Sequence, residues 1–255
     1  MTSVILLVLG AIVGSFLNVV GLRFNSGVTL AGRSKCQSCS KTLSWWELLP
    51  IISFFILRRR CSGCRTKISW QYPIVEILTG LVFLSIFNLE FSIFNKFILI
   101  LVFCIYIAIV IYDLRHKIIP DSLVYSAIGL SLVYALLNLQ TYQLIDFLAG
   151  PILFLFFAAI WFLSRGRALG FGDAKLVLSV GVLLGAASGF SAIVLAFWLG
   201  AAFGLSLLTI DSLKPLLRGD KQITMKSEIP FAPFIILGAW LSLIFNLDLL
   251  HVSLF

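Results

Sequence analysis

Eight long apolar runs constrain what this 255-residue chain can fold into, at residues 2–22, 72–89, 97–112, 122–139, 144–163, 174–187, 190–210 and 230–250. A helical membrane span needs roughly 20 predominantly apolar residues, and most of the runs approach that length. Hydrophobic residues make up 60% of the chain and charged ones 12%, with mean hydropathy +1.09. An ordinary soluble domain carries about 25% charged residues, so a soluble globular fold is excluded. The first run lacks the basic flank and small-x-small site of a cleaved signal peptide and is expected to remain as a span. The two shortest runs, 97–112 and 174–187, are the candidates for short or re-entrant helices.

The formal charge is +8, from 19 Lys+Arg against 11 Asp+Glu. In a soluble protein such an excess points to a polyanionic partner; in a membrane protein, basic residues gather in cytoplasmic loops. With eight spans and the N-terminus outside, the loops at 23–71, 113–121, 164–175 and 211–229 face the cytoplasm and hold every basic residue except Lys96. The last loop contributes Lys214, Arg218, Lys221 and Lys226. Topology accounts for the charge, and no nucleic-acid partner is needed.

The first loop is the one segment long enough for a small domain outside the bilayer. It contains Cys36-Gln-Ser-Cys39 and Cys61-Ser-Gly-Cys64, two C-x2-C pairs at close to zinc-ribbon spacing. Four thiolates would close a tetrahedral Zn²⁺ site with no open position for water, a structural role. Two disulfides are the rival, disfavoured by the reducing cytosol in which the basic loop is placed. Cys104, within an apolar run, reads as a packing residue. The segment 43–52, with Trp45 and Trp46, is too apolar for a free linker and is expected at the bilayer interface.

Chemistry must come from polar groups near the membrane, where burying a carboxylate is costly. Asp113 follows the third run and Asp173 opens the sixth, within Gly170-Phe171-Gly172-Asp173-Ala174-Lys175. Both fall at the cytoplasmic boundary. Should their helices pack together, the carboxylates could share one proton, the arrangement of aspartic-protease chemistry. Gly170 and Gly172 would admit substrate backbone or an irregular turn, and Lys175 could lower the pKa of Asp173. The alternative for both aspartates is helix capping or an interfacial carboxylate, and Lys175 could equally snorkel to water. Glu76, a few residues into the second run, is also placed where charge is unwelcome and could pair with a base or line a polar cavity. His116 and His251 suggest no metal site, and no G-x-S-x-G, H-E-x-x-H or phosphate loop occurs.

These elements together resemble the type IV prepilin leader peptidases, intramembrane aspartic proteases with a G-x-G-D motif. The resemblance includes Gly14-Ser15-Phe16-Leu17-Asn18, both cysteine pairs, residues 43–50, Tyr72-Pro73-Ile74-Val75-Glu76, Asp113 with Ile119-Pro120-Asp121, residues 170–176 and Ile229-Pro230-Phe231-Ala232-Pro233-Phe234. It implies that Asp113 and Asp173 are the catalytic pair. It also implies the bifunctional branch, which cleaves a basic leader from prepilins or pseudopilins at the cytoplasmic face and N-methylates the new terminus with S-adenosylmethionine. Residues 21–27 depart from the family's tyrosine-arginine-leucine-proline run, and Ala232 replaces a frequent glycine. No methyl-donor motif of the soluble kind is present, so methylation rests on the resemblance.

The expectation is an all-α polytopic membrane protein of about eight transmembrane helices in the bacterial inner membrane, with a small cytoplasmic zinc-ribbon-like cysteine domain. Its divisions are a first helix at 1–22, a four-cysteine zinc-binding domain at 23–71 and a peptidase domain at 72–255. The competing classes are a general intramembrane aspartic protease and a transporter or scaffold using Asp113, Asp173 and Glu76 as an ion relay.

Overall fold

The computed structural model describes residues 2–25, 32–213 and 230–249, with side chains omitted at 210–213. Lys214, Arg218, Lys221, Lys226, Ile229 and His251 lie outside the described residues, as do Ser26 and Gly27. The chain forms two compact units, 1–115 and 116–255.

In the first unit, α1 (Thr2–Arg23) carries a stripe of small residues at helical spacing, Gly10, Gly14 and Gly21, and buries it. A Cβ on Gly10 would lie 2.7 Å from the Cα of Gly80, and one on Gly14 2.9 Å from the Cα of Glu76. Both neighbours belong to α3 (Gln71–Asn88), so the two helices meet backbone to backbone. Lipid gives no hydrophobic drive between helices, and such close approach supplies the dispersion contact that replaces it. The opposite face of α1, including Val4, Val8, Ile12 and Phe16, is exposed, as a lipid-facing surface should be.

Helix α4 (Ile93–His116) is 24 residues long, which corrects the expectation that 97–112 is short. Charge at its ends does not stop the helix: Lys96 reaches back to donate to the carbonyl of Phe87 at 2.9 Å. Between α1 and α3, the described part of the loop holds a 3-10 turn (Trp45–Leu48) and the short α2 (Ile52–Ile56). Trp45, Ile52, Phe55 and Ile56 are exposed on this segment and form an apolar surface.

The second unit contains α5 (Asp121–Leu137), α6 (Leu144–Ser164), α7 (Phe171–Leu213) and α8 (Ala232–Phe245). At 43 residues α7 would extend about 65 Å, twice a bilayer core, were it straight. It breaks at Gly185, whose φ of 77° and ψ of −171° suit glycine alone. The sequence runs 174–187 and 190–210 are therefore the two halves of α7. Counted this way, the described residues form eight apolar helical segments. Five helices reach span length and composition, taking α7 whole, and α5 and α8 are shorter apolar helices.

The break would orphan backbone groups in lipid, and side chains of α6 and the residues before it satisfy them. The Tyr142 hydroxyl donates to the carbonyl of Leu183, and Asp146 Oδ1 accepts from the N–H of Ala186 at 2.9 Å. Asp146 Oδ2 also accepts the N–H of Gln143, 2.9 Å away, so one carboxylate caps α6 and the second half of α7. A Cβ on Gly181 would lie 2.6 Å from the Cα of Gly150, the same glycine-to-glycine device as in the first unit. Ser131 and Ser179 bridge α5 and α7 at 3.0 Å, and Ser242 of α8 donates to the carbonyl of Ser188 at 2.7 Å.

Candidate functional site

The two cysteine pairs fold as copies of one local pattern. In the first, the N–H of Cys36 donates to the carbonyl of Lys41 (2.9 Å) and that of Ser40 to the carbonyl of Cys36 (3.0 Å). In the second, the N–H of Cys61 donates to the carbonyl of Thr66 (2.9 Å) and that of Arg65 to the carbonyl of Cys61 (3.0 Å). Ser40 and Arg65, each directly after a pair, both take positive φ, at 57° and 56°. Antiparallel bridges Lys35–Thr42 and Arg60–Lys67 close the two knuckles.

The sulfurs of Cys36, Cys39, Cys61 and Cys64 all lie within 4.8 Å of one another, a group that could hold a metal ion. No cysteine is in a disulfide. The thiols hold protons unequally. Backbone N–H groups of Cys39 and Ser38 keep Cys36 below its ordinary value, and the Thr66 hydroxyl and N–H bring Cys64 down to about 6. At Cys39 the Lys41 N–H also lowers the pKa, but hydrogen bonding with Cys64 and the other thiols outweighs it and leaves that group at about 11. A cation entering the cluster would displace the remaining protons.

Two carboxylates fasten this domain. Glu47, buried, takes the N–H of Ser44 on Oε2 (2.7 Å), and on Oε1 the ammonium of Lys41 (3.2 Å) and the hydroxyl of Ser62. It thereby joins the first knuckle to the second. The Ser44 N–H, Ser62 and Lys41 together hold its carboxyl below the ordinary range. The sequence reading missed Glu47, although Ser44-Trp45-Trp46-Glu47 has the S-x-x-E form of a capping box. Glu76, buried in α3, accepts the N–H of Ile51 at 2.7 Å. Ile51 has φ 61°, a rare conformation for a β-branched residue, so Glu76 ties α3 to a strained turn of the cysteine segment. These groups border a cavity of about 660 Å³ lined by α1, the knuckles, α2 and α3.

Asp113 lies in the last turn of α4 and is buried. Its neighbours fix that turn: Ile111 packs against Gly21, where no side chain fits, and Tyr112 meets Phe24 edge to face at 6.0 Å. Asp173, also buried, is in the first turn of α7, where its Oδ2 accepts the N–H of Gly170 at 3.1 Å. Gly172 packs on Ile119, with 2.8 Å available to a Cβ. Lys175 pairs with Asp121 at 2.7 Å and stands 5.2 Å from the ring centres of Tyr125 and Phe171. Asp113 belongs to the first unit and Asp173 to the second.

Residues 8–89 match the bacterial peptidase A24 N-terminal domain, and residues 98–205, which hold both aspartates, match the type IV leader peptidase family. The chain belongs to the type IV leader peptidase family. Three relatives share the name prepilin leader peptidase/N-methyltransferase. The one from Myxococcus xanthus (strain DK1622) is 33% identical over 81% of this chain and 63% of its own length. The Bacillus subtilis (strain 168) relative is 28% identical over 95% of this chain and 94% of its own. For the Stutzerimonas stutzeri relative the identity is 29%, over 94% and 89%. No solved structure matches the chain. At family level the function is prepilin leader cleavage joined to N-methylation, and the cysteine knuckles and Glu76 fall within the matched N-terminal domain.

Proposed function

We propose that this chain is a prepilin leader peptidase of the bacterial cytoplasmic membrane, acting through Asp113 and Asp173, and an N-methyltransferase for the terminus it exposes. The observation that carries the reading is the setting of the two carboxylates: each is buried at a helix end within the segment that matches the peptidase family. In the proposed dyad the two carboxylates share one proton, because like charges brought together at one site do not both ionise. The ionised member takes a proton from water as the oxygen attacks the peptide carbonyl, and the protonated member gives its proton to the carbonyl oxygen. Asp173, which accepts the Gly170 N–H, is assigned the base, an acceptor-only group when ionised. Lys175, engaged with Asp121, steadies the first turn of α7, and Gly172 lets that turn close on Ile119.

In this reading residues 1–22 are the first span, 23–71 the methyltransferase-associated cysteine domain and 72–255 the peptidase domain. Prepilins and pseudopilins are the substrates, their basic leaders remaining on the cytoplasmic side. The Lys and Arg distribution supports an outside N-terminus with the cysteine domain and both aspartates cytoplasmic.

Zinc is the metal proposed for the cluster. Tetrahedral Zn–S bonds of about 2.3 Å place sulfurs about 3.8 Å apart, and Cys36 Sγ and Cys64 Sγ lie 3.8 Å apart. When bound, zinc supplies a closed structural crosslink between the knuckles. Metal analysis of the purified protein is expected to give one zinc per chain, lost in Cys36→Ser; a metal-free wild type would exclude it. S-adenosylmethionine, when bound, supplies the methyl group.

The test of the dyad is cleavage of a prepilin in membranes. Asp113→Asn and Asp173→Asn are each expected to lower the rate by about a thousandfold, within the range lost with a general acid or base. Full activity in either variant ends the proposal.

A further inference from the structure

We infer that the cysteine domain has an attachment to the bilayer besides its two flanking helices: the 3-10 turn and α2 lie in the phospholipid headgroup layer, with Arg58 and Arg60 on lipid phosphates. The starting observation is an apolar face that the described residues leave uncovered. On α2, Ile52, Phe55 and Ile56 stand at i, i+3, i+4 spacing, on one side of the helix, and are 56%, 59% and 66% exposed. On the 3-10 turn, Trp45 and Leu48 are three residues apart and so share a side, and Trp45 is 75% exposed. Other side chains of both pieces point inward: Glu47 is buried where it joins the knuckles, and Phe54 is buried with its ring 4.9 Å from that of Trp70. Large apolar side chains exposed together mark a contact surface.

The surroundings identify what that surface meets. The domain is strung between the end of α1 at Arg23 and the start of α3 at Gln71, so it already stands at one face of the bilayer. Trp70 directly precedes α3 and is half-exposed, the place of an interfacial tryptophan, and its contact with Phe54 fixes α2 to the border of a spanning helix. Charge completes the pattern. The chain leaves α2 through Arg58-Arg59-Arg60, with positive φ at Arg58 (48°) and Arg59 (61°). Arg59 turns inward: its guanidinium stands 5.5 Å from the Trp70 ring centre and its Nε donates to the carbonyl of Ile68 at 3.1 Å. Arg58 and Arg60 are exposed, and neither is in an ion pair among the described residues. Apolar side chains followed at once by free guanidinium groups suit a phospholipid surface, the first entering below the phosphates and the second forking onto them. A second copy of the chain would set one arginine run against another, and a basic leader would be repelled by the same groups.

The experiment uses the full chain in nanodiscs of phosphatidylethanolamine and phosphatidylglycerol. The photocrosslinker p-benzoylphenylalanine replaces Trp45 or Phe55, one aromatic for another, and as a reference Arg65, which is exposed on the second knuckle. After irradiation, mass spectrometry of the peptides reports what each position touches. Phospholipid adducts are expected at Trp45 and Phe55 in about tenfold excess over Arg65, since only the first two enter the headgroup layer. Arg58→Gln combined with Arg60→Gln is expected to lower the yield at Phe55 by about threefold, and the corresponding pair of lysine substitutions, which keeps the cations, to lower it less. Thermal melting equal to that of the unsubstituted protein reports that each variant is folded, and should the glutamine pair fail to fold, the adducts at Trp45 and Phe55 still decide the insertion. Lipid adducts no more frequent than at Arg65, or adducts to a second copy or to added prepilin in place of lipid, overturn the inference. A folded glutamine pair with an unchanged yield overturns the phosphate contact.

Discussion

Glu47 concentrates much of the cysteine domain's order in one side chain. Its oxygens accept from a backbone N–H, a lysine and a serine on two different knuckles, and it is almost wholly buried. Glu47→Ala is expected to destabilise the domain by about 2 kcal/mol, the cost of leaving such partners unsatisfied. Limited proteolysis between residues 32 and 70 would measure it, and wild-type resistance in the variant would contradict the assignment. The pH dependence follows from the lowered pKa. The folded value lies below the ordinary 4.5, so the stabilisation is complete above that pH and is lost as pH falls through the folded value. Glu47→Gln should flatten this acid limb, seen as a smaller difference in protease resistance between neutral and acid pH.

Among the elements, the broken α7 shows how a membrane helix can change direction without exposing polar backbone to lipid. Gly185 supplies the conformation, while Tyr142 and Asp146 take up the carbonyl and N–H that the break releases. Asp146→Ala frees the N–H groups of Ala186 and Gln143 together and is expected to cost about 2–4 kcal/mol. Asp146→Asn, which keeps an acceptor, should cost less than half as much. Steric-trapping or thermal unfolding in micelles reads both, and equal losses would show that the carboxylate oxygens are not the reason. The exposed aromatic surface of the 3-10 turn and α2 has a different logic. These residues have no core to enter, and their position beside the helix ends suits the headgroup region.

At the scale of the whole molecule, topology and chemistry depend on one another. Placing the cysteine domain and both aspartates on one membrane face requires an even number of spans between Asp113 and Asp173, which the split of α7 after Asp173 leaves intact as α5 and α6. A cysteine introduced at Glu90, beside Lys96, is expected to react with an impermeant maleimide from outside in intact cells. A cysteine introduced at Lys67, exposed on the cysteine domain, should react only after the cell is opened. The reverse pattern would invert the orientation and remove the aspartates from the cytoplasmic face.

The sequence by itself determined the number of apolar segments, the proposed orientation, the clustering of four cysteines and the choice of Asp113 and Asp173. Those features follow from costs local to the chain: a charge in lipid is expensive wherever it lies, and two C-x2-C pairs carry their spacing with them. It misjudged the length of α4, because lysine and arginine at a helix end can reach water without unwinding it. Only the tertiary structure decided that Lys175 pairs with Asp121, that Glu47 joins the knuckles, that Glu76 holds the Ile51 turn and that Asp146 caps α7. Each of those roles depends on which backbone or charged group a neighbouring element leaves unsatisfied at that point, and spacing along the chain carries no record of that.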